Sequence, residues 1–267
     1  MLKVLNDPDV NIFIKKIYRS LEELNNLTRF SLRFWRYLFK PPFEWAEVRK
    51  HIDELGSKSL PLVTIVGLLM GVILAMQSRP VLERFGAGSF LPSMLALTIV
   101  REMGPVITAL VIAGRVSSGI GAELGSMKVT EQIDALEVSA VDPFNFLVVT
   151  RTLACTIMMP LIIAYVDLVA IFGGYISERI TYSSSFQLYF SEVVGALTFR
   201  DIIPGIGKTA AFGFIIGIIG CYKGFTSENG TEGVGRAATT AVVLSSLNII
   251  FIDMVMVRLQ FLIFGLD

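Results

Sequence analysis

Five long apolar runs restrict what this chain can fold into: about 60–78, 91–120, 144–176, 202–222 and 237–264. A helix needs roughly 17–20 predominantly apolar residues to cross the hydrocarbon of a bilayer, and each run supplies them. Inside lipid the backbone has no water to bond, so a spanning segment must satisfy its own N–H and C=O groups, as a helix does. Hydrophobic residues make up 53% of the 267 and charged residues 17%, which excludes an ordinary soluble domain. The expectation is an all-α integral membrane protein. It divides into N-terminal cytoplasmic or interfacial helices over 1–58 and a membrane domain over 59–267.

The N-terminal part is amphipathic. Arg29, Arg33, Arg36 and Lys40 recur at helical spacing beside Phe30, Phe34, Trp35 and Tyr37. A basic stripe flanked by aromatic bulk suits a helix lying in an anionic headgroup layer. Pro41-Pro42 ends it. Residues 1–20 have no apolar core of a signal peptide, so the N-terminus is expected in the cytoplasm. Eleven Lys and Arg in residues 1–58 against two in the 79–90 connection agree with that orientation. The connections at 121–143 and 223–236 then fall inside, and those at 79–90 and 177–201, with Asp267, outside.

Other chemistry has little material. Net charge is zero, so there is no electrostatic footprint for nucleic acid. Cys155 and Cys221 lie in apolar runs and read as buried thiols, and His51 reads as a solvated surface residue. A zinc or haem site lacks ligands. Gly205-Ile206-Gly207-Lys208-Thr209 imitates the tail of a phosphate-binding loop, but Ile202 stands where its first glycine is required. Asn229-Gly230-Thr231 matches a glycosylation triplet on the wrong side of the membrane.

Charges inside the spans carry more information. Arg101 and Glu102 stand about ten residues into the second run, near mid-membrane at 1.5 Å per residue. Each costs on the order of 2.5–3.5 kcal/mol to insert, so neither should face lipid tails. Neighbours on a helix point about 100° apart and cannot neutralise each other. Lys208, Asp253, Arg258, Asp167 and Arg151 are candidate partners, the last two read as lying near span ends. Gln77 is a weaker polar candidate. Gly67/Gly71, Gly121/Gly125 and Gly213/Gly217 have the spacing of close helix packing.

From Ala122 to Val138 a helical period reappears in polar sequence. Val129, Ile133 and Leu136 share one face, and Glu123, Thr130, Asp134 and Glu137 another. An anionic membrane surface repels such an acidic stripe, whereas a groove on a soluble protein accommodates it.

The block REMGPVITALVIAGRVSSGIGAELGSMKVTEQIDALEVSAVDP closely resembles the signature region of the MlaE/YrbE family, the permeases of lipid-transporting ABC systems. The likeness continues through PLIIAYVDLVAIFGGYI, FGFIIGIIGCYKG and GVGRAATTAVVLSSLNIIFIDMVM, covering roughly residues 30–265. It implies a homodimer in the bacterial inner membrane, a cytoplasmic ABC ATPase and a periplasmic MCE-domain lipid shuttle, with phospholipid as cargo. It implies no cofactor in this chain, since ATP and magnesium belong to the ATPase. The segment with Glu123, Gly125, Met127, Lys128, Thr130, Glu131, Gln132 and Asp134 corresponds to the family's coupling helix. Arg101, Glu102, Lys208 and Asp253 correspond to charged positions at its lipid cavity, with Leu74 and Met70 expected on the walls.

Two rivals make different demands. An ion-coupled secondary transporter using Glu102 and Asp253 as proton relays works without an ATPase. A membrane scaffold tolerates neutral residues at 101 and 102.

Overall fold

The computed structural model describes residues 8–41, 43–228 and 230–264. Pro42 of the double proline, Asn229 of the glycosylation triplet and Asp267 lie outside the described residues. The chain divides into two units, Met1–Phe43 and Glu44–Asp267. In the first, α1 (Pro8–Leu38) is one amphipathic helix. Its basic stripe is exposed, and Arg33 and Lys40 approach the Tyr37 ring to 5.2 and 4.9 Å.

The regular elements of the second unit are, among the described residues, all helical: α2 (Trp45–His51), α3 (Leu60–Arg84), α4 (Gly88–Val129), α5 (Gln132–Val138), α6 (Phe144–Tyr182), α7 (Phe186–Ala196), α8 (Phe199–Phe225) and α9 (Thr231–Phe264). Five of these, α3, α4, α6, α8 and α9, are long and apolar enough to cross a membrane. At 42 and 39 residues, α4 and α6 exceed what a bilayer requires, as their apolar runs predict. α2 and the wide turn that follows it (Ile52–Ser57) pack on α6 and so belong with the spans.

Glycine sets the packing. On α3, Gly67 meets Val166 and Gly71 meets the Ala170 carbonyl, so α3 and α6 run parallel. Gly213 meets the Cys155 carbonyl and Gly217 meets Thr152, so α8 lies antiparallel on the other side of α6. Gly220 and Gly224 bring α8 onto Ser117 and Leu124 of α4, and Gly121 faces Ala237 and Ala241 of α9. A buried hydrogen bond of 2.9 Å between Ser117 and Ser245 fixes that last register. Small residues let backbones approach where no hydrophobic effect drives helices together. The connections therefore alternate: 85–87 and 183–198 at one end of the bundle, 130–143 and 226–230 at the other.

One element was not expected. The connection after α6, read as a loop over 177–201, contains α7, which buries Tyr189 and Val193 against Leu91 and Leu95. Its apolar stretch is too short for a span and was indistinct for that reason. The Tyr189 hydroxyl donates to the Ile171 carbonyl at 3.2 Å, satisfying the polar tip of a buried ring.

Candidate functional site

Arg101 and Glu102 occupy a turn of α4 (Ile99–Met103) that is wound wider than an α-helix, with i→i+5 bonding. Such single wide turns are rare and recur at functional sites. Pro105, four residues after Arg101, has no N–H to offer the Arg101 carbonyl. Lys208 of α8 supplies the missing donor, its Nζ lying 2.9 Å from that carbonyl. The same ammonium lies 2.9 Å from Glu102 and 2.6 Å from Asp253 of α9, and its side chain is 3% exposed. Arg101 turns the other way and meets Asp201 at 2.6 Å. Asp201 is in turn anchored by Thr198, whose hydroxyl and N–H donate to it at 2.6 and 2.9 Å in a capping box that opens α8.

Three spans are thus tied by five charges. The adjacent pair does not cancel internally, as the helical angle requires, and each member takes its own partner. Arg101 and Glu102 keep 32% and 37% side-chain exposure, so a polar group outside the bundle can still reach them. Arg101 and Glu102 stand in the first half of α4, Lys208 in the first half of α8, and Asp201 in the first turn of α8. Asp201 was not anticipated; its signal was the Thr198-x-x-Asp201 capping pattern just before the apolar run.

The remaining cavity candidates separate from the cluster. Met70 is buried, and Leu74 packs beside it in the core formed with Leu91, Leu95 and Tyr189. Gln77 is exposed on α3. Arg258 is exposed five residues beyond Asp253 on α9. Arg151 lies near the start of α6 and pairs with Glu123 at 2.7 Å. Asp167, read as a residue near a span end, is instead well inside α6 and buried.

The 122–138 segment is two helices rather than one. α4 continues to Val129, and Glu131 then takes a left-handed backbone (φ 58°) that breaks the period before α5 begins. Apolar residues on both sides of the break hid it in the sequence. The candidate coupling residues divide accordingly. Glu123 is held by Arg151, Gly125 is buried against Ser227, and Lys128 donates to the Phe225 and Ser227 carbonyls at 2.9 and 3.0 Å. Met127 is half-buried beside them. Thr130, Glu131, Gln132 and Asp134 are exposed on the connection, with Glu137 and Val138. Ile133, on the apolar face of that segment, is buried within the chain itself.

A family model described as "Permease MlaE" matches residues 48–259. The chain belongs to the MlaE permease family. Its relatives include an ABC transporter permease protein of Rickettsia bellii, 36% identical over 92% of this chain and 95% of that one. The "Intermembrane phospholipid transport system permease protein MlaE" of Haemophilus influenzae is 32% identical over 80% of this chain and 85% of its own. "Protein TRIGALACTOSYLDIACYLGLYCEROL 1, chloroplastic" of Arabidopsis thaliana is 32% identical over 82% of this chain and 63% of its own. An MlaE-family permease is a multi-pass transport subunit and not an enzyme.

The end of this permease that carries α5 also holds a histidine the sequence placed in solvent. His51 of α2 is 7% exposed. Burial, reinforced by the Arg151 charge and partly opposed by Glu123, lowers its pKa from 6.5 to about 4. The unfolded chain therefore takes up a proton that the folded chain refuses. The resulting stability is complete above pH 6.5 and declines as pH falls toward 4. Thermal melts of the detergent-purified permease should show a smaller loss between pH 7.5 and pH 5 for His51→Gln than for the natural chain.

Proposed function

We propose that the chain is the membrane subunit of an ABC transporter that moves phospholipid between the bacterial inner membrane and the outer envelope. It works as a pair of copies, with a separate ATPase docked on the exposed side of the Thr130–Val138 connection, at the cytoplasmic side. A periplasmic lipid-binding protein of the MCE type exchanges lipid with it, and the N-terminus is cytoplasmic. The observation that carries this reading is a mechanical route from that connection to the charge cluster. Lys128, two residues before the connection, grips the C-terminal carbonyls of α8, where a cation also complements the helix dipole. The same α8 carries Lys208, which holds Glu102 and Asp253.

Closure of the ATPase on ATP displaces α5, and Lys128 transmits the shift to α8. Movement of Lys208 then changes how Arg101 and Glu102 present themselves to a lipid headgroup. Their partial exposure gives the headgroup access, and the apolar surfaces of the spans receive its tails. ATP can drive this step only if the two arrangements bind lipid with different affinity.

The test is the double change Glu131→Lys, Asp134→Lys. Both residues are exposed and outside the packed bundle, so the chain should accumulate and purify normally. ATPase co-purification and ATP-driven lipid transfer between vesicles should both be lost. An ATPase that still co-purifies with the double variant would contradict the docking site.

A further inference from the structure

A carboxyl group without a partner lies between α4, α6 and α8. Asp167 is 9% exposed, and its Oδ1 is fully buried without a hydrogen-bond donor. That oxygen rests against Gly104, at a place any Cβ would occupy, directly after the wide turn that carries Arg101 and Glu102. Beside Asp167 is a cavity of about 70 Å³, lined by Val100, Pro105, Ile163, Ile206 and Thr209 among others and by no basic residue. The Thr209 hydroxyl is already committed to the Ile206 carbonyl at 2.9 Å.

The charged groups of the surrounding elements are paired elsewhere or, like Arg115 of α4 and Arg200 of α8, exposed. On α4 and α8, Arg101 pairs with Asp201 and Glu102 with Lys208, which also holds Asp253 of α9. Between Leu60 and Ser78, α3 has no charged residue. On α6 itself, Arg151 pairs with Glu123 and Glu178 with Arg79. Glu192 of α7 takes the Ser93 hydroxyl. His51 of α2 lies beside Arg151, and the following turn reaches α6 at Met158, with its Asp53 and Glu54 exposed.

An ionised carboxylate in such surroundings has neither donor nor counter-charge and costs several kcal/mol. Calcium or magnesium needs about six oxygen ligands, far more than one carboxyl and one committed hydroxyl provide. A proton needs only the carboxyl. The cavity is large enough for one or two waters, at about 30 Å³ each, to deliver it.

We propose that this cavity is a proton-binding site, with Asp167 loaded in the packing described here and discharged when the wide turn of α4 moves away from α6. Loading forms an O–H bond at the carboxyl with a proton taken from water, and discharge returns that proton to water. No electron is transferred. The loaded site stands on the packing alone, whereas its exchange during transport rests on the permease reading above.

Infrared spectroscopy of the purified full chain at neutral pH tests the loaded state. The natural chain should give a neutral-carboxyl C=O stretch that shifts in heavy water and is missing from Asp167→Asn. Asp167→Ser serves if the amide variant does not accumulate. Absence of that band in the natural chain overturns the site, whatever the protein transports. For the exchange step, ATP-driven lipid transfer by the complex with its ATPase is followed against pH. The natural complex should show a limb approaching about tenfold per pH unit, as one-proton titration requires, and Asp167→Asn should flatten it. An identical profile in the variant, with the band present, overturns the exchange. If transfer fails entirely in the natural complex while the band is present, the permease reading fails and the proton site stands.

Discussion

Replacing Lys208 with methionine is expected to destabilise the folded permease by about 3–5 kcal/mol, the usual consequence of removing one partner from a buried charge network. Methionine nearly matches the lysine stem in volume, so the loss comes from charge and hydrogen bonding. Glu102 and the Arg101 carbonyl would lose their shared donor, and Asp253 its counter-charge. Glu102 retains 37% side-chain exposure, so water relieves part of its loss, and the more enclosed Asp253 at 17% dominates. Adding Asp253→Asn to Lys208→Met should recover stability, because the second change removes the stranded charge. Unfolding midpoints of the two singles and the double in detergent measure this. Strict additivity of the two changes would mean that the Lys208–Asp253 contact does not contribute.

The second large effect belongs to Gly71. Its missing Cβ is replaced in space by the backbone carbonyl of Ala170, and the reciprocal glycine, Gly173, meets the Leu68 carbonyl. Backbone cannot swing aside as a side chain can, so α3 and α6 must separate to admit even a methyl group. Overpacking of this kind costs about 1–3 kcal/mol, and Gly71→Ala should fall at the upper end. Gly71→Leu should abolish accumulation of the folded chain. Gly114 is the control, since nothing lies within 4 Å of a Cβ built there. Gly114→Ala should be neutral or stabilise by up to about 1 kcal/mol through helix propensity. Fluorescence-detected size exclusion with a temperature ramp separates these outcomes. Equal tolerance at 71 and 114 would contradict the close α3–α6 approach.

The spans were legible because length and apolarity alone decide whether a segment can cross a bilayer. The glycine pairs were legible as packing contacts because close approach needs small residues at helical spacing. Arg101 and Glu102 stood out because insertion of a charge is costly, but their partners depended on which helices pack together, which no single helix encodes. Asp201 escaped notice because it belongs to a helix cap and to an ion pair at once. The break at Glu131 was hidden because Val129, Ile133 and Leu136 keep a helical period across it, while a left-handed backbone at glutamate has no composition signal. His51 was misplaced for a related reason: a polar stretch gave no hint that α2 packs on α6.

The coupling assignment can also be probed at Lys128. Lys128→Met removes the grip on the α8 C-terminus without touching the exposed docking residues. ATPase binding should persist while lipid transferred per ATP hydrolysed falls, measured in the reconstituted complex. An unchanged ratio would remove Lys128 from the transmission route.

The most direct measurement uses a cysteine at Ala135, which is exposed on α5. Cys155 and Cys221 are completely buried and remain silent toward a bulky reagent. A membrane-impermeant maleimide should modify Ala135→Cys from the cytoplasmic face of vesicles only, and bound ATPase should block the reaction. Modification from the periplasmic face, or labelling indifferent to the ATPase, would contradict a permease driven through this connection.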